Sequence, residues 1–383
     1  MIQKNWDTNS IKDQLQLKAI KERRPLSCIF ELTYRCNFNC RMCYVHMIDS
    51  QASKYGRMRT LDEWLNMANQ IREAGVLYLT LSGGECTQYP HFIELYEKLA
   101  QMGFLLTVMS NAGSYSDEIR DLFRKYPPHN AAITLYGGSN ETYQAVTGDK
   151  NGFDKTVENI RFFRSLGIPV NLTFTMIKQN VRDYPLVGQL CSDLNLPFVL
   201  ITDINAHRYD SGFSEALSCR LSPAERACVA CRPSSEVSKA LEESKELEKK
   251  LDGFRIEDYQ ESDSADDKDY CIGSYSACAI SWNGNMNTCI SLLGMKGADP
   301  FEIGFEAAWE QLKANQASVF KLPDVCAKCS LRSDCTRNCA GRRFEGTGSI
   351  DEPDPYTCQY TYLLKSLKNQ ETLTVFPTSP ECI

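Results

Sequence analysis

The chain has no long apolar run. Its first 27 residues, MIQKNWDTNSIKDQLQLKAIKERRPLS, offer no segment that could act as a secretion signal, and no later stretch approaches the length needed to cross a bilayer. A cytoplasmic location without a membrane partner is the expectation. The sequence also lacks a concentrated basic face before residue 320, and its formal net charge is −7. Phosphate backbones need clustered cations, so a nucleic-acid partner is excluded as an expectation. There is no internal repeat and no low-complexity tract. Apolar residues make up 43% and charged residues 24%, ordinary for a globular chain, and 383 residues suggest two or three folding units.

Against this plain background stands cysteine, at 18 residues. In a reducing compartment a disulfide framework is improbable, and clustered thiols read better as metal ligands.

From about residue 26 to 205 short apolar runs alternate with helical patterns. The runs are 26–33, 76–82, 104–110, 131–136, 169–177 and 197–204. Near-continuous apolar runs suit strands buried on both faces of a parallel sheet. Between them, Thr60 and Glu63 form a capping-box pattern, Leu61, Leu65, Ala68 and Ile71 share a stripe, and Gly75 can close that helix. Further helices are expected from Pro90 to before Gly103, at 116–125, at 153–166 with Gly167 as its stop, and at 181–194. Six strand–helix steps make either a partial barrel or an open doubly wound sheet, and both place functional groups at the C-terminal ends of strands.

The expected organisation is an N-terminal extension (1–25), the strand–helix domain (26–205), a bridging region (206–270), a cysteine-rich domain (271–360) and a C-terminal helix and tail (361–383). The bridge holds a charged helix, SEVSKALEESKELEKKLDGF, and an acidic linker, IEDYQESDSADDKDY. The cysteine-rich domain is expected to be held by metal more than by an apolar core. Lys and Arg between residues 321 and 343 are expected to solubilise that lobe, with attraction of an acidic peptide as the weaker alternative.

Three cysteines, Cys36, Cys40 and Cys43, fall in the loop after the first expected strand. The next cysteine is Cys86. Soft thiolates at this spacing select iron–sulfur clusters or zinc, and structural zinc wants a fourth ligand nearby. A four-iron cluster on three thiolates instead keeps one iron open for a substrate. Cys36-x3-Cys40-x2-Cys43 resembles the hallmark of radical S-adenosylmethionine (radical SAM) enzymes. The segment Ser82-Gly83-Gly84-Glu85-Cys86, one strand later, resembles that family's Gly-Gly-Glu-Pro motif, with Cys86 in place of the usual proline and Met42 where an aromatic residue is common.

The resemblance implies a partial (β/α)6 barrel. It further implies a [4Fe–4S] cluster on Cys36, Cys40 and Cys43, and S-adenosylmethionine chelated by the open iron. Gly83 and Gly84 would allow close backbone approach, and Glu85 would accept from the ammonium of the methionine moiety. By strand-end position, Ser82, Ser110, Asn111, Thr134 and Thr175 become candidate contacts to the cofactor, and Tyr136 a candidate cavity wall. Ordinary strand-end hydrogen bonding is the competing role for each.

A second constellation, Cys271, Gly284, Cys289, Cys326, Cys329, Cys335, Cys339 and Cys358, resembles the SPASM extension of radical SAM peptide modifiers. That resemblance implies two auxiliary [4Fe–4S] clusters; zinc, which paired cysteines at such spacings also bind, is the competing reading. One cluster would rest on Cys326, Cys329, Cys335 and Cys358; the other on Cys271, Cys289 and Cys339, with Cys278 as its expected fourth ligand. Cys28 and Cys191 read as inert core thiols. Cys228 and Cys231 are too few to complete a site, and a free thiol in their region or at Cys382 could return a hydrogen atom to a substrate radical.

The implied activity is reductive cleavage of S-adenosylmethionine to a 5′-deoxyadenosyl radical that takes hydrogen from a ribosomal precursor peptide. The product would be a thioether or carbon–carbon crosslink. Epimerisation with a cysteine donor, formylglycine formation on a sulfatase, and a non-catalytic iron–sulfur electron carrier are the alternatives. Implied partners are the precursor peptide and an electron donor such as flavodoxin or ferredoxin. The 25 residues before the first strand are too few for a fused winged-helix leader-binding domain, so leader recognition would fall elsewhere, as on a separate leader-binding protein.

Overall fold

The computed structural model describes residues 10–209, 215–260, 271–335 and 339–369. Six strands appear where the apolar runs lie: β1 (Ser27–Glu31), β2 (Tyr78–Ser82), β3 (Leu105–Ser110), β4 (Asn130–Leu135), β5 (Val170–Thr175) and β6 (Phe198–Ile201). They pair in parallel and in chain order, each step taken through at least one helix on the outside. The sheet therefore curls as an open partial barrel, the expected architecture.

Two further strands come from the cysteine-rich region. β7 (Ala277–Ile280) adds in parallel to the free edge of β1, with Cys28 opposite Cys278, and β8 (Met286–Asn287) turns back antiparallel. The eight-stranded order is β6-β5-β4-β3-β2-β1-β7-β8. The sheet thus runs on from the barrel into the C-terminal region.

The strands are not buried on both faces as expected. Along β3, β4 and β5 buried residues alternate with partly or fully exposed ones. The buried set, among them Leu106, Val108, Ile133, Leu172 and Phe174, packs into the core beneath the helices. The other set, including Thr107, Met109, Thr134, Thr173 and Thr175, faces a lumen open enough to keep it partly accessible. Threonine explains the misleading run: it is β-branched and strand-favouring, yet its hydroxyl tolerates a polar cavity.

The helix Leu61–Glu73 begins as its sequence requires. Glu63 N–H donates to Thr60 Oγ1 at 3.3 Å, and Thr60 N–H to Glu63 Oε2 at 2.8 Å. Its inner face carries Trp64, wholly buried and 4.6 Å from the Phe30 ring. The next helix starts at Phe92, two residues beyond Pro90, because Cys86–Gln88 first forms a 3₁₀ turn on which Tyr89 closes. Several helices were not expected, among them Ile11–Glu22, Phe305–Val319 and, within the strand–helix domain, Asn140–Thr147. Ser139 caps the last of these by accepting from Thr142 N–H, and Gly148 ends it at φ +81°, so a start-and-stop signal was present in the sequence.

In the C-terminal half, the charged stretch forms the helix Val237–Glu248 with flanking 3₁₀ turns. The tail helix spans Pro355–Lys368 and packs on the helix Pro223–Ala230, where Arg226 lies 3.8 Å from the Tyr360 ring centroid. Most of the acidic linker, residues 210–214 of the bridge, and Cys382 lie outside the described residues. No helix among the described residues is long and apolar enough to cross a membrane.

Candidate functional site

The C-terminal ends of β1, β2 and β3 meet at the loop that carries Cys36, Cys40 and Cys43. Residues 83–85 are laid directly on the start of this loop: Gly84 N–H donates to the Thr33 carbonyl at 2.7 Å, and Glu85 N–H to the Arg35 carbonyl at 2.8 Å. A Cβ on Gly83 would stand 2.6 Å from Thr33 O, and one on Gly84 2.6 Å from Tyr34 O and nearer still to Arg35 O. The close approach that demands two glycines is therefore to the cysteine loop itself.

Glu85 follows, only 2% exposed. Its carboxylate accepts from Ser110 Oγ on both oxygens at 2.9 Å, from Asn111 N–H at 2.8 Å, and from the Thr87 hydroxyl and amide at 2.8 and 3.2 Å. Burial raises its pKa, and these donors pull against that shift. Asn111 carries the chain onward: its Nδ2 donates to Asn37 Oδ1 at 2.9 Å and lies 3.4 Å from Cys36 Sγ. Sequence reasoning missed Asn37, whose signal was its place beside the first cysteine.

The three thiols are partly buried and near enough to feel one another's charge, although among the described residues no three metal-ligating side chains are drawn together around a single ion. Cys36 Sγ accepts from Phe38 N–H at 3.4 Å and Cys43 Sγ from His46 N–H at 3.2 Å, while Cys43 N–H closes a turn on the Cys40 carbonyl. Burial pushes the Cys36 thiol up to about 12 and raises Cys40 and Cys43 as well, with each of Cys36 and Cys40 opposing a charge on its neighbours. Three soft donors on one loop, each reluctant to ionise alone, suit a cationic metal group, whose charge inverts that balance. The donor set fits iron–sulfur ligation.

Met42 has a clear place. It is 6% exposed and packs with Val146, Ile177, Ile204, Ala216 and Cys219, and Cys40 and Tyr136 pack against the same group. An unbranched thioether fills this irregular gap well. Cys86 is wholly buried in the barrel core with its thiol 3.5 Å from the Met109 carbonyl. Ser82 is buried beside Met109. Thr134 and Thr175 lie on the lumen face, Thr134 bonded to Thr173 at 3.2 Å between hydroxyls. Tyr136 stands edge-on to Phe38 and Tyr143.

In the C-terminal region Cys326, Cys329, Cys335 and Cys358 line one small pocket, walled also by Arg343, Leu331 and Thr357. Cys358 reaches it from the second turn of the helix Pro355–Lys368, which Asp354 caps through Tyr356 N–H and the Thr357 hydroxyl. Burial pushes Cys326 up to about 11 and Cys358 to about 12, with the other thiols of the cavity opposing a second charge. Arg343, 1% exposed, supplies a cation there, and its Nε donates to the Ile350 carbonyl at 2.8 Å. Four thiols around a space with a buried cation fit a metal cluster of net negative charge.

Cys271 and Cys289 pack against the apolar group Leu292, Phe320 and Ala340, the last of which directly follows Cys339. Cys278 lies elsewhere, 2% exposed within β7 and opposite Cys28 in the barrel core. Cys191, Cys228 and Cys231 are likewise buried in that core.

Two charged pairs went unread in the sequence. Arg208 and Glu31 form an ion pair at 2.7 Å with side chains 4% and 1% exposed. Arg226, fully buried, meets Asp203 at 2.7 Å, and Asp203 also faces Arg342 at 3.2 Å. Glu31, a charged residue ending an otherwise apolar strand, was the available signal.

Residues 30–187 match the sequence profile of the radical SAM superfamily. The chain is 22% identical over 340 residues to a PqqA peptide cyclase of Bradyrhizobium diazoefficiens, covering 86% of this chain and 85% of the relative. Among solved structures, Streptococcus suis SuiB bound to the precursor peptide SuiA superposes with a TM-score of 0.61 at 16% identity, over 91% of this chain and 80% of that one. The structure of anSMEcpe with bound AdoMet gives 0.63 at 17% identity, over 90% and 94%. The triple-cysteine loop and the glycine-bearing turn laid on it both fall within the matched segment, and residues 30–187 form a radical SAM domain.

Proposed function

We propose that this protein is a radical SAM peptide maturase that installs a thioether or carbon–carbon crosslink in a ribosomal precursor peptide. The observation that carries the reading is the gathering of Cys36, Cys40 and Cys43 at the mouth of the barrel, backed by the Glu85–Asn111 chain. In this reading the three thiolates hold a [4Fe–4S] cluster with one iron open to S-adenosylmethionine. When bound, that pair supplies a 5′-deoxyadenosyl radical capable of taking an unactivated hydrogen.

The chain's own residues do the rest. Glu85 and Asn111 hold the Cys36 end of the loop, and the threonine-lined lumen offers hydroxyls to a polar cofactor. Cofactor and peptide seated in the open lumen would exclude bulk water from the radical's neighbourhood. Ser82, Gly83, Gly84, Ser110, Thr134 and Thr175 border that space at the strand ends. The four-thiol cavity of Cys326, Cys329, Cys335 and Cys358 would hold one auxiliary cluster, and Cys271, Cys289 and Cys339 would serve a second. Such clusters can accept the electron released as a crosslink closes. Similarity to a PqqA peptide cyclase and to the fold of SuiB with its precursor peptide supports a peptide as substrate. A flavodoxin or ferredoxin would reduce the first cluster, and a separate protein would recognise any leader.

The test is anaerobic incubation of the reconstituted protein with S-adenosylmethionine, a reductant and the peptide encoded beside its gene. Net loss of hydrogen from the peptide, with 5′-deoxyadenosine formed, is the expected result. Full cluster loading without any 5′-deoxyadenosine would overturn the reading.

A further inference from the structure

Residues 206–209 lead out of the barrel, and Arg208 is where three parts of the chain meet. Its Nη1 donates to both carboxylate oxygens of Glu31, at 2.7 and 2.8 Å. Its Nη2 reaches the carbonyl of Ile290 at 3.4 Å, one residue past Cys289. Its backbone N–H donates to the carbonyl of Tyr44 at 2.9 Å, one residue past Cys43, and its guanidinium lies 5.4 Å from the Tyr44 ring centroid. From the C-terminal side, Gly294 packs so close that a Cβ there would stand 2.8 Å from Arg208 Cγ and 3.2 Å from its carbonyl oxygen.

The pair is almost wholly withdrawn from water. Burying two charges is costly, and an apolar pair of similar volume would hold these elements together at least as well. Adhesion alone therefore does not account for the charges. Both charges lie against the segment that directly follows Cys43, through the Arg208 N–H on the Tyr44 carbonyl and the guanidinium over the Tyr44 ring. In a low-dielectric interior their influence is little screened.

We propose that Arg208 and Glu31 are a positioning pair for the first cysteine site, fixing the Cys43 end of the loop against the C-terminal region and setting the electrostatic potential there. This rests on the reading of Cys36, Cys40 and Cys43 as iron–sulfur ligands. A cluster gains negative charge on reduction, so the two partners act with opposite sign. Arg208→Gln leaves the Glu31 anion facing the site and lowers the cluster's midpoint potential. Glu31→Gln leaves the cation and raises it. Arg208→Lys keeps the charge and loses the planar fork, and holds the potential near its original value.

The experiment is a redox titration of the full-length reconstituted protein, following by electron paramagnetic resonance the cluster signal that changes when S-adenosylmethionine is added. A downward shift in Arg208→Gln and an upward shift in Glu31→Gln are expected. Shifts of the same sign, or none, with that signal present, would overturn the pair's role while leaving the iron–sulfur reading intact. Should Arg208→Gln lose iron throughout, Glu31→Gln decides alone, since an unchanged or lowered potential overturns the proposal. A wild-type protein with no signal responsive to S-adenosylmethionine overturns the underlying reading and the proposal with it.

Discussion

Ser110 Oγ stands 2.9 Å from each oxygen of the Glu85 carboxylate, joining the end of β3 to the turn after β2 at a point sealed from solvent. Asn111 and Thr87 complete the ring of donors. Glu85→Gln presents an amide to groups that already donate, and one of them must lose its acceptor. A loss of about 1–3 kcal/mol follows, together with weaker retention of iron in the Cys36 loop. Chemical unfolding under anaerobic conditions and iron analysis check both, and an unchanged unfolding midpoint would show that the ring is not maintained in solution.

Gly84→Ala is expected to disrupt the first site selectively. Its methyl would stand 2.6 Å from the Tyr34 carbonyl, a backbone atom that cannot swing aside. On the proposed count of three clusters, iron should fall to about two thirds, because the pocket around Cys358 lies in another part of the chain. Iron equal to that of the parent protein would contradict the packing of residues 83–85 on the loop.

Cys358→Ala and Cys278→Ala should part company. The first opens the four-thiol cavity and should lower bound iron, whereas Cys278 sits in the sheet beside Cys28 and its removal should cost about 1 kcal/mol as a small cavity with iron retained. If iron drops by a cluster's worth in Cys278→Ala, that thiol is a ligand after all.

Asp203→Ala leaves Arg226, which is fully buried, without its anion. Breaking a buried pair from one side costs about 3–5 kcal/mol. Arg226 stacks on Tyr360 of the same helix that carries Cys358, so the loss should also loosen the C-terminal helix. Adding Arg226→Met to Asp203→Ala should recover much of the loss, as read from urea midpoints.

Glu63 gives a pH signature. Its pKa is lowered to about 2, first by hydrogen bonding from Arg57 and also by the Thr60 amide. A carboxylate depressed in the folded state contributes stability that is present above its unfolded value near 4.5 and is lost as pH falls toward about 2. The stability gap between the parent protein and Glu63→Gln should therefore be constant near neutrality and narrow below about pH 4.5. Partial exposure keeps the gap small, since solvent screens the pair.

Much of the fold is written locally. Thr60, Glu63 and Gly75 mark one helix, Gly103 and Gly167 end two others, and the apolar runs locate six strands. The cysteine spacings and the segment at 82–85 are equally local, so the candidate site and its family were legible before any fold was known. What escaped was non-local. The runs could not say which face opens on a lumen, because Thr107, Thr134 and Thr173 read as strand formers on either face. No spacing could reveal that Cys278 lies opposite Cys28, or that Glu31 would find Arg208 across 177 residues of sequence.

By itself, then, the sequence determined the order of strands and helices and the sets of thiols close along the chain, because caps, turns and short cysteine spacings act over a few residues. Only the tertiary structure decided which thiols share a cavity, why Gly83 and Gly84 must lack side chains, where Met42 packs, and which charges are buried together. These depend on β2 meeting the loop after β1, on β7 joining its edge, and on the last helix returning to the barrel. Each of those contacts joins segments far apart along the chain, and their geometry exists only once the sheet has closed around its core.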